Sequence, residues 1–138
     1  MYPSPVQVLS AFFIDTFAPR TAEGGATRID ISGIHFSLAS PNPVPVKVEP
    51  HLLALIHCRA DEVGSGVFEV VFREGFDEES PELARNVSPF NVDPGKLTYR
   101  LVRGQLEFTE YRQIVAHCRV NREGWIRVPF TLLPPVTA

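Results

Sequence analysis

The chain has 138 residues, of which 44% are hydrophobic and 21% charged, and its formal net charge is -3 at pH 7. This length fits one ordinary domain, and the composition excludes a disordered chain. The slightly acidic balance, with no run of Lys or Arg, excludes a general nucleic-acid binder, which needs a basic surface to neutralise phosphates. We therefore expect a single domain over residues 1–138.

The amino-terminal segment MYPSPVQVLSAFFIDTF has no positively charged region and no small-residue cleavage site, so it does not have the pattern of a secretory signal peptide. Its apolar stretch is too short to span a bilayer, and no other segment does better. Two cysteines without an export signal are most simply reduced thiols. These features predict a cytoplasmic protein that does not bind membranes.

The first strand, VQVLSAFFI from Val6, is apolar on both faces, which predicts a central position covered from either side. The next, TRIDISGIHFSL, changes parity at Gly33, and one extra residue at a glycine predicts a β-bulge. Its apolar positions are Ile29 and Ile31 before the glycine, then Ile34, Phe36 and Leu38 after it. The proline-dense segment ASPNPVPVKVEP follows, and this composition predicts an edge strand or an extended loop.

Three later segments alternate with period two, the pattern of half-buried strands. They are VFEVVFRE, LTYRLV and WIRVPFTLL. Their apolar faces are Phe68, Val70 and Phe72; Leu97, Tyr99 and Leu101; and Ile126, Val128, Phe130 and Leu132. These alternations add three strands to the predicted sheets.

Turn signals separate these strands. Asp93-Pro94-Gly95 suits a turn with Pro at the first corner and Gly at the second, and residues 121–124 (NREG) read as a hairpin loop. A helix is predicted only in SPELARNV, near residues 80–86, where Ser80 could cap it and Pro81 could occupy its first position. The predicted fold is therefore all-β: a two-sheet antiparallel β-sandwich of seven to nine strands with at most one short helix.

A His-Cys-Arg tripeptide occurs twice, in LIHCRA (55–60) and VAHCRV (115–120). On a strand, neighbouring residues point to opposite faces, so Cys58 and Cys118 fall on wholly apolar faces while His57 and His117 fall on the other side. A neighbouring His and Cys cannot reach one metal from a regular strand, which argues against zinc. A Cys58–Cys118 disulfide stays open if the strands face each other, but small buried hydrophobes are the preferred interpretation.

The opposite faces of the two repeats carry polar side chains. If the two strands are neighbours, these side chains could form one cationic patch that holds an anion or a carboxylate partner. The alternative is that outward polar residues on a strand are merely solvated. The candidate ligand-binding residues are His57, Arg59, Tyr111, His117 and Arg119.

No other motif points to a reaction. The segment FREGFDEESPE concentrates acidic residues, which could bind calcium but lack EF-hand spacing, so a solvated loop is preferred. No phosphate-binding loop, nucleophile elbow or activated cysteine is present in the pattern, and we predict no catalytic residue, metal or cofactor. Phe76 and Phe90, in loops or at strand ends, could each anchor a partner or close the end of the sandwich.

The order of features resembles an uncharacterised family of small bacterial all-β proteins. The resemblance rests on VLSAFFIDTF, the turn EGGA, IDISGIHFSL, HLLALIHCRA leading into GVFEVVFR, and the final hairpin YRQIVAHCRVNREGWIRVPFTLL. It covers most of the chain and departs from the shared pattern at FDEESPELARN. It implies a β-sandwich and a bacterial protein that is not secreted, and it supplies no active residues.

From these observations we expect a non-catalytic binding or assembly module. Sandwiches must protect the edges of their sheets, so a homo-oligomer or a protein partner is expected, and nucleic acid is not. The alternative is a small-ligand or anion-binding protein, or an enzyme, that uses the predicted His/Arg patch.

Overall fold

The structure is a computed structural model, which describes residues 6–21 and 23–136. The described residues form eleven strands and one short 3-10 turn, Glu23–Gly25. The strands are β1 Val6–Thr21, β2 Thr27–Ile34, β3 Leu38–Ala39, β4 Val46–Val48, β5 His51–Cys58, β6 Gly64–Arg73, β7 Glu82–Val92, β8 Leu97–Arg103, β9 Leu106–Phe108, β10 Gln113–Val120 and β11 Ile126–Leu133.

Two sheets make up the body of the molecule. A four-stranded sheet has the order β2-β1-β5-β8, and a five-stranded sheet has the order β3-β11-β10-β6-β7. All pairings are antiparallel except the two-residue contact of β3 with β11. The predicted all-β sandwich is confirmed. The strand count exceeds seven to nine because of three short strands, β3, β4 and β9, of which β4 and β9 pair with each other.

The core lies between the two sheets and matches the predicted alternation for β5, β6, β10 and β11. The inward residues of β6, Phe68, Val70 and Phe72, are buried, as are Phe130 and Leu132 of β11. Aromatic rings join the sheets at the centre: Phe13 of β1 lies 5.1 Å from Phe130 and 6.5 Å from Phe72 between ring centroids. Packing of this kind accounts for most of the stability of a sandwich.

The central position of β1 is confirmed, because β1 pairs with β2 on one side and β5 on the other. The bulge predicted at Gly33 is wrong: the register between β1 and β2 does not shift there, and the irregularity lies in β1 between Val8 and Ser10. Gly33 has φ +69°, and the Asp15 side chain lies where a Cβ would project. Glycine is therefore required at this position because the Asp15 side chain leaves no room for a Cβ, and not because a residue is inserted.

The predicted inward face of β8 is also wrong. Thr98, Arg100 and Val102 pair with Ile56, Ala54 and Leu52 and so share their inward face. The face with Leu97 and Leu101 points outward, and both residues are exposed. Alternation shows that a strand has two faces, but at the edge of a sheet it does not say which face meets the core.

The helix predicted near residues 80–86 is absent, because Glu82–Val92 is a strand that pairs with β6 along its length. Long-range pairing has overridden a local capping signal. Both predicted turns are confirmed: Lys96 N donates to Asp93 O at 3.0 Å with Gly95 at φ +75°, and residues 121–124 connect β10 to β11. Within residues 6–21 and 23–136, no helix has the length and apolarity that a membrane crossing requires.

Candidate functional site

The five residues of the predicted patch do not lie together. His57 lies near the end of β5, in the four-stranded sheet, and Arg59 follows that strand. His117 and Arg119 lie on β10, in the five-stranded sheet. Since each pair lies on the outer face of its own sheet, the two pairs point away from each other across the sandwich. The prediction of one cationic patch is therefore wrong, because the two repeats occupy facing sheets and not neighbouring strands.

His117 is not a solvated residue, because it is fully buried although it lies on the outer side of its sheet. The acidic loop, residues 74–80, covers it, and His117 Nε2 donates a hydrogen bond to the carbonyl of Gly75 at 2.8 Å. Two arginines fix the same loop: Arg127 Nε donates to Phe76 O at 2.6 Å, and Arg73 to Ser80 O at 2.9 Å. The loop is thus attached through its backbone, which the sequence pattern did not predict.

The carboxylates of the acidic segment are also used within the chain. Glu74 pairs with Arg112 at 3.2 Å and Glu78 with Arg127 at 3.5 Å. A hydrogen bond from Arg85 lowers the pKa of Glu82. Within the part of the chain that the structure describes, no three His, Cys, Asp or Glu side chains are placed to hold a metal ion.

Three other members of the predicted patch have local partners. Arg119 pairs with Glu69 at 3.0 Å and lies 4.0 Å from the Trp125 ring centroid, a cation–π geometry. Tyr111 packs against the core, and its hydroxyl accepts a hydrogen bond from Val44 N at 3.2 Å. Arg59 pairs with Glu62 at 3.0 Å in the turn between β5 and β6. Four depressions on the surface of the described residues are lined by none of the five residues.

Both cysteines are free and fully buried on the inner faces of their strands, so their interpretation as small buried hydrophobes is confirmed. Burial raises the pKa of the Cys118 thiol to about 12. The Cys58 Sγ lies 3.3 Å from Glu62 O, within reach of a weak S–H hydrogen bond. Neither thiol has the exposed, electropositive surroundings of a reactive cysteine.

The surface that sequence reasoning missed is the end of the β1–β2 hairpin. β1 pairs with β5 only as far as Ile14, and from there to Thr21 it pairs with β2 alone. Residues 15–21 and 27–34 therefore form a two-stranded unit beyond the main sheet, which we call the ribbon. A positive-φ turn at Gly24 and Gly25 closes its tip.

The ribbon turns back toward the outer face of the four-stranded sheet. Leu55 of β5 pairs with Ser10 of β1 on one side and with Tyr99 of β8 on the other, so Ser10 and Tyr99 lie at the same level of the sheet. Phe17 is seven positions further along β1, about 23 Å away if the strand were straight. The Phe17 and Tyr99 ring centroids are nevertheless 4.9 Å apart, so the chain bends between them. Leu53, which belongs to the same outer face, is buried.

At the base of the ribbon, large apolar side chains face solvent. Phe36 is 92% exposed and Ile34 is 50% exposed. The alternation had placed both with Leu38 on one apolar face, but the strand ends at Ile34 and Phe36 lies in the link that follows. Of the two aromatics singled out from the sequence, Phe76 is 51% exposed, whereas Phe90 is buried in the core.

Comparisons with known proteins add information on the fold alone. No family model and no curated protein matches the sequence. Among solved structures, the chain is similar to a β-glucosidase from Listeria innocua, crystallised with gluconolactone, at 11% identity and a TM-score of 0.54. The match covers 88% of this chain and 16% of that chain, so this fold corresponds to a small part of the larger protein.

Proposed function

We propose that the protein is a non-catalytic assembly module that associates with a second copy of itself through the ribbon and the apolar surface at its base. The observation that carries the proposal is the exposure of Phe36 beside Ile34. Isolated exposed apolar residues are common, but a nearly fully exposed Phe next to a second large apolar side chain marks an interaction surface.

Energetics favour covering this surface. Full burial of a Phe side chain contributes about 1.5–3 kcal/mol, and aromatic residues are among those that contribute most to the affinity of an interface. The ribbon adds an extended two-stranded surface next to these anchors. A specific interface of ordinary size buries about 800 Å² on each partner, so we propose that the ribbon contributes to it together with Phe36 and Ile34.

The experiment compares Phe36→Ser with Phe76→Ser by sedimentation velocity over a range of concentrations. Phe76 is the matched control, because it is also exposed but lies on the acidic loop of the opposite sheet. We expect wild type and Phe76→Ser to dimerise alike and Phe36→Ser to bind about tenfold more weakly or worse. A monomeric wild type, or equal association of all three proteins, would contradict the proposal.

The same proposal assigns the module to the cytoplasm of a bacterium. The resemblance to small bacterial all-β proteins supports this assignment. The two thiols also support it, because Cys58 and Cys118 are both free, whereas disulfides accumulate in oxidising compartments.

A further inference from the structure

The β2 strand is a long edge strand whose outer side has no neighbour among the described strands. It has eight residues, ends the order of its sheet and pairs only with β1. Native proteins protect such edges with prolines, lysines, bulges or very short strands, because an open edge pairs readily with another strand. The β2 sequence TRIDISGI has no proline and no lysine, and its register with β1 does not shift.

The other edges of the two large sheets are protected. β3 has two residues. β7 contains Pro89 and a register shift opposite Arg73, and Arg100 of β8 donates to Pro89 O at 2.8 Å, which joins the edges of β7 and β8. The contrast identifies β2 as the edge that is left available for pairing.

Within one chain, the charged side chains of β2 and its neighbour β1 are not all paired. Arg20 of β1 and Arg28 of β2 are direct cross-strand neighbours, and Asp30 pairs with Arg20 at 2.6 Å. This ribbon face thus carries two guanidinium groups but one carboxylate, which pairs with Arg20. Arg28 has no ion pair among the residues that the structure describes. Like charges directly opposite each other on a sheet are unfavourable, so a further carboxylate here would be stabilising.

We infer that two copies pair antiparallel through their β2 strands about a two-fold axis at Ile29. This inference rests on the self-association proposed above and specifies its surface and register. An antiparallel pair centred on Ile29 places Arg28 of each copy opposite Asp30 of the other. Each orphan guanidinium then faces a carboxylate, and each carboxylate lies between two guanidinium groups.

Charge also selects this register over its neighbours. A pair centred on Asp30 brings the two Asp30 carboxylates face to face. A pair centred on Ile31 places Arg28 opposite Ile34 and leaves it without a partner. Only the Ile29 register satisfies both ionic residues of the strand, and a two-fold axis makes this contact closed and self-complementary.

The test is a charge-swap experiment with Arg28→Asp and Asp30→Arg, read out by sedimentation velocity at low salt. Each single variant puts like charges opposite each other twice, and we expect dimerisation about tenfold weaker than wild type. An equimolar mixture should recover association, because both cross-strand pairs become complementary. Arg122→Asp, on the exposed β10–β11 turn, is the control and should dimerise like wild type.

A second variant pair tests the register itself. Ile29→Cys should form an intermolecular disulfide under mild oxidation, because the two Cβ atoms meet at the axis, whereas Ile31→Cys faces Thr27 of the second copy and should not. If wild type dimerises but neither the charge variants nor Ile29→Cys behaves as described, the β2 inference is wrong and the proposed function stands. If wild type is monomeric throughout, both are wrong.

Discussion

His117 Nε2 lies 2.8 Å from the carbonyl oxygen of Gly75, so a fully buried imidazole supports the backbone of an acidic surface loop. The sequence suggested a solvated or ligand-binding histidine at this position. In the structure the imidazole instead donates a hydrogen bond to the loop backbone, and the loop shields the imidazole from solvent.

Removal of this imidazole should release the loop. His117→Ala leaves the Gly75 carbonyl without its donor and leaves a cavity, so we expect a loss of about 2–4 kcal/mol in the free energy of unfolding. Urea denaturation measures the loss, and cleavage by a Glu-specific protease at Glu78 and Glu79 measures release of the loop. His57→Ala, a half-buried histidine on the other sheet, is the control. Unchanged stability with an equally resistant loop would show that His117 does not support it.

Arg100 should matter for stability although its side chain is partly exposed. Its Nε and Nη2 both bond to Pro89 O, at 3.3 and 2.8 Å, and its guanidinium lies 5.9 Å from the Phe90 ring centroid. Arg100→Lys keeps the charge but loses the planar double contact, so we expect a loss of about 1–2 kcal/mol. Arg122→Lys, in the exposed hairpin turn, should change stability very little. Equal denaturation midpoints for the two variants would contradict this role.

Gly33 should not tolerate a side chain. Its backbone lies at φ +69°, and a Cβ there would collide with the Asp15 carboxylate, which also contacts His35. Gly33→Ala should therefore cost about 1–3 kcal/mol. The control is Gly124→Ala, because nothing lies within 4 Å of a Cβ built at Gly124 and its φ is not positive. A Gly33→Ala protein that unfolds at the wild-type urea concentration would rule out this close contact.

The buried Cys118 thiol gives a pH-dependent prediction. Its pKa is raised from 9.0 to about 12, so above pH 9 the folded state holds a proton that the unfolded state releases. The free energy of unfolding is therefore unaffected by the ionisation of this group below pH 9, and it falls as pH rises from 9 toward the folded pKa. Cys118→Ala should be less stable at pH 7 but should lose less stability between pH 9 and 10 than wild type. Parallel pH profiles of the two proteins would contradict the raised pKa.

Sequence patterns predicted the parts of the fold that depend on alternation across a buried strand. Cys118 and Cys58 were placed inward correctly, because each has apolar neighbours at every second position. Leu97 and Leu101 were placed wrongly, since β8 is an edge strand whose outer face is also apolar. Pro81 and Ser80 carry a local helix signal that pairing of the following residues with β6 overrides.

The candidate surface could not be predicted because it depends on which strands become neighbours. His57 and His117 share a local pattern, yet nothing in that pattern assigns them to different sheets. Phe36 continues an apolar alternation, and only the end of β2 at Ile34 leaves its side chain in solvent. The charge pattern around Arg28 was readable in the sequence, but its significance depends on β2 being an edge.

Self-association of the chain with a second copy is the property on which both proposals depend. The most direct test is the native mass of the protein purified from its own cells, measured by native mass spectrometry and by light scattering across micromolar concentrations. We predict a species of twice the chain mass of 15.4 kDa that dissociates on dilution. A mass of 15.4 kDa at every concentration would contradict the account.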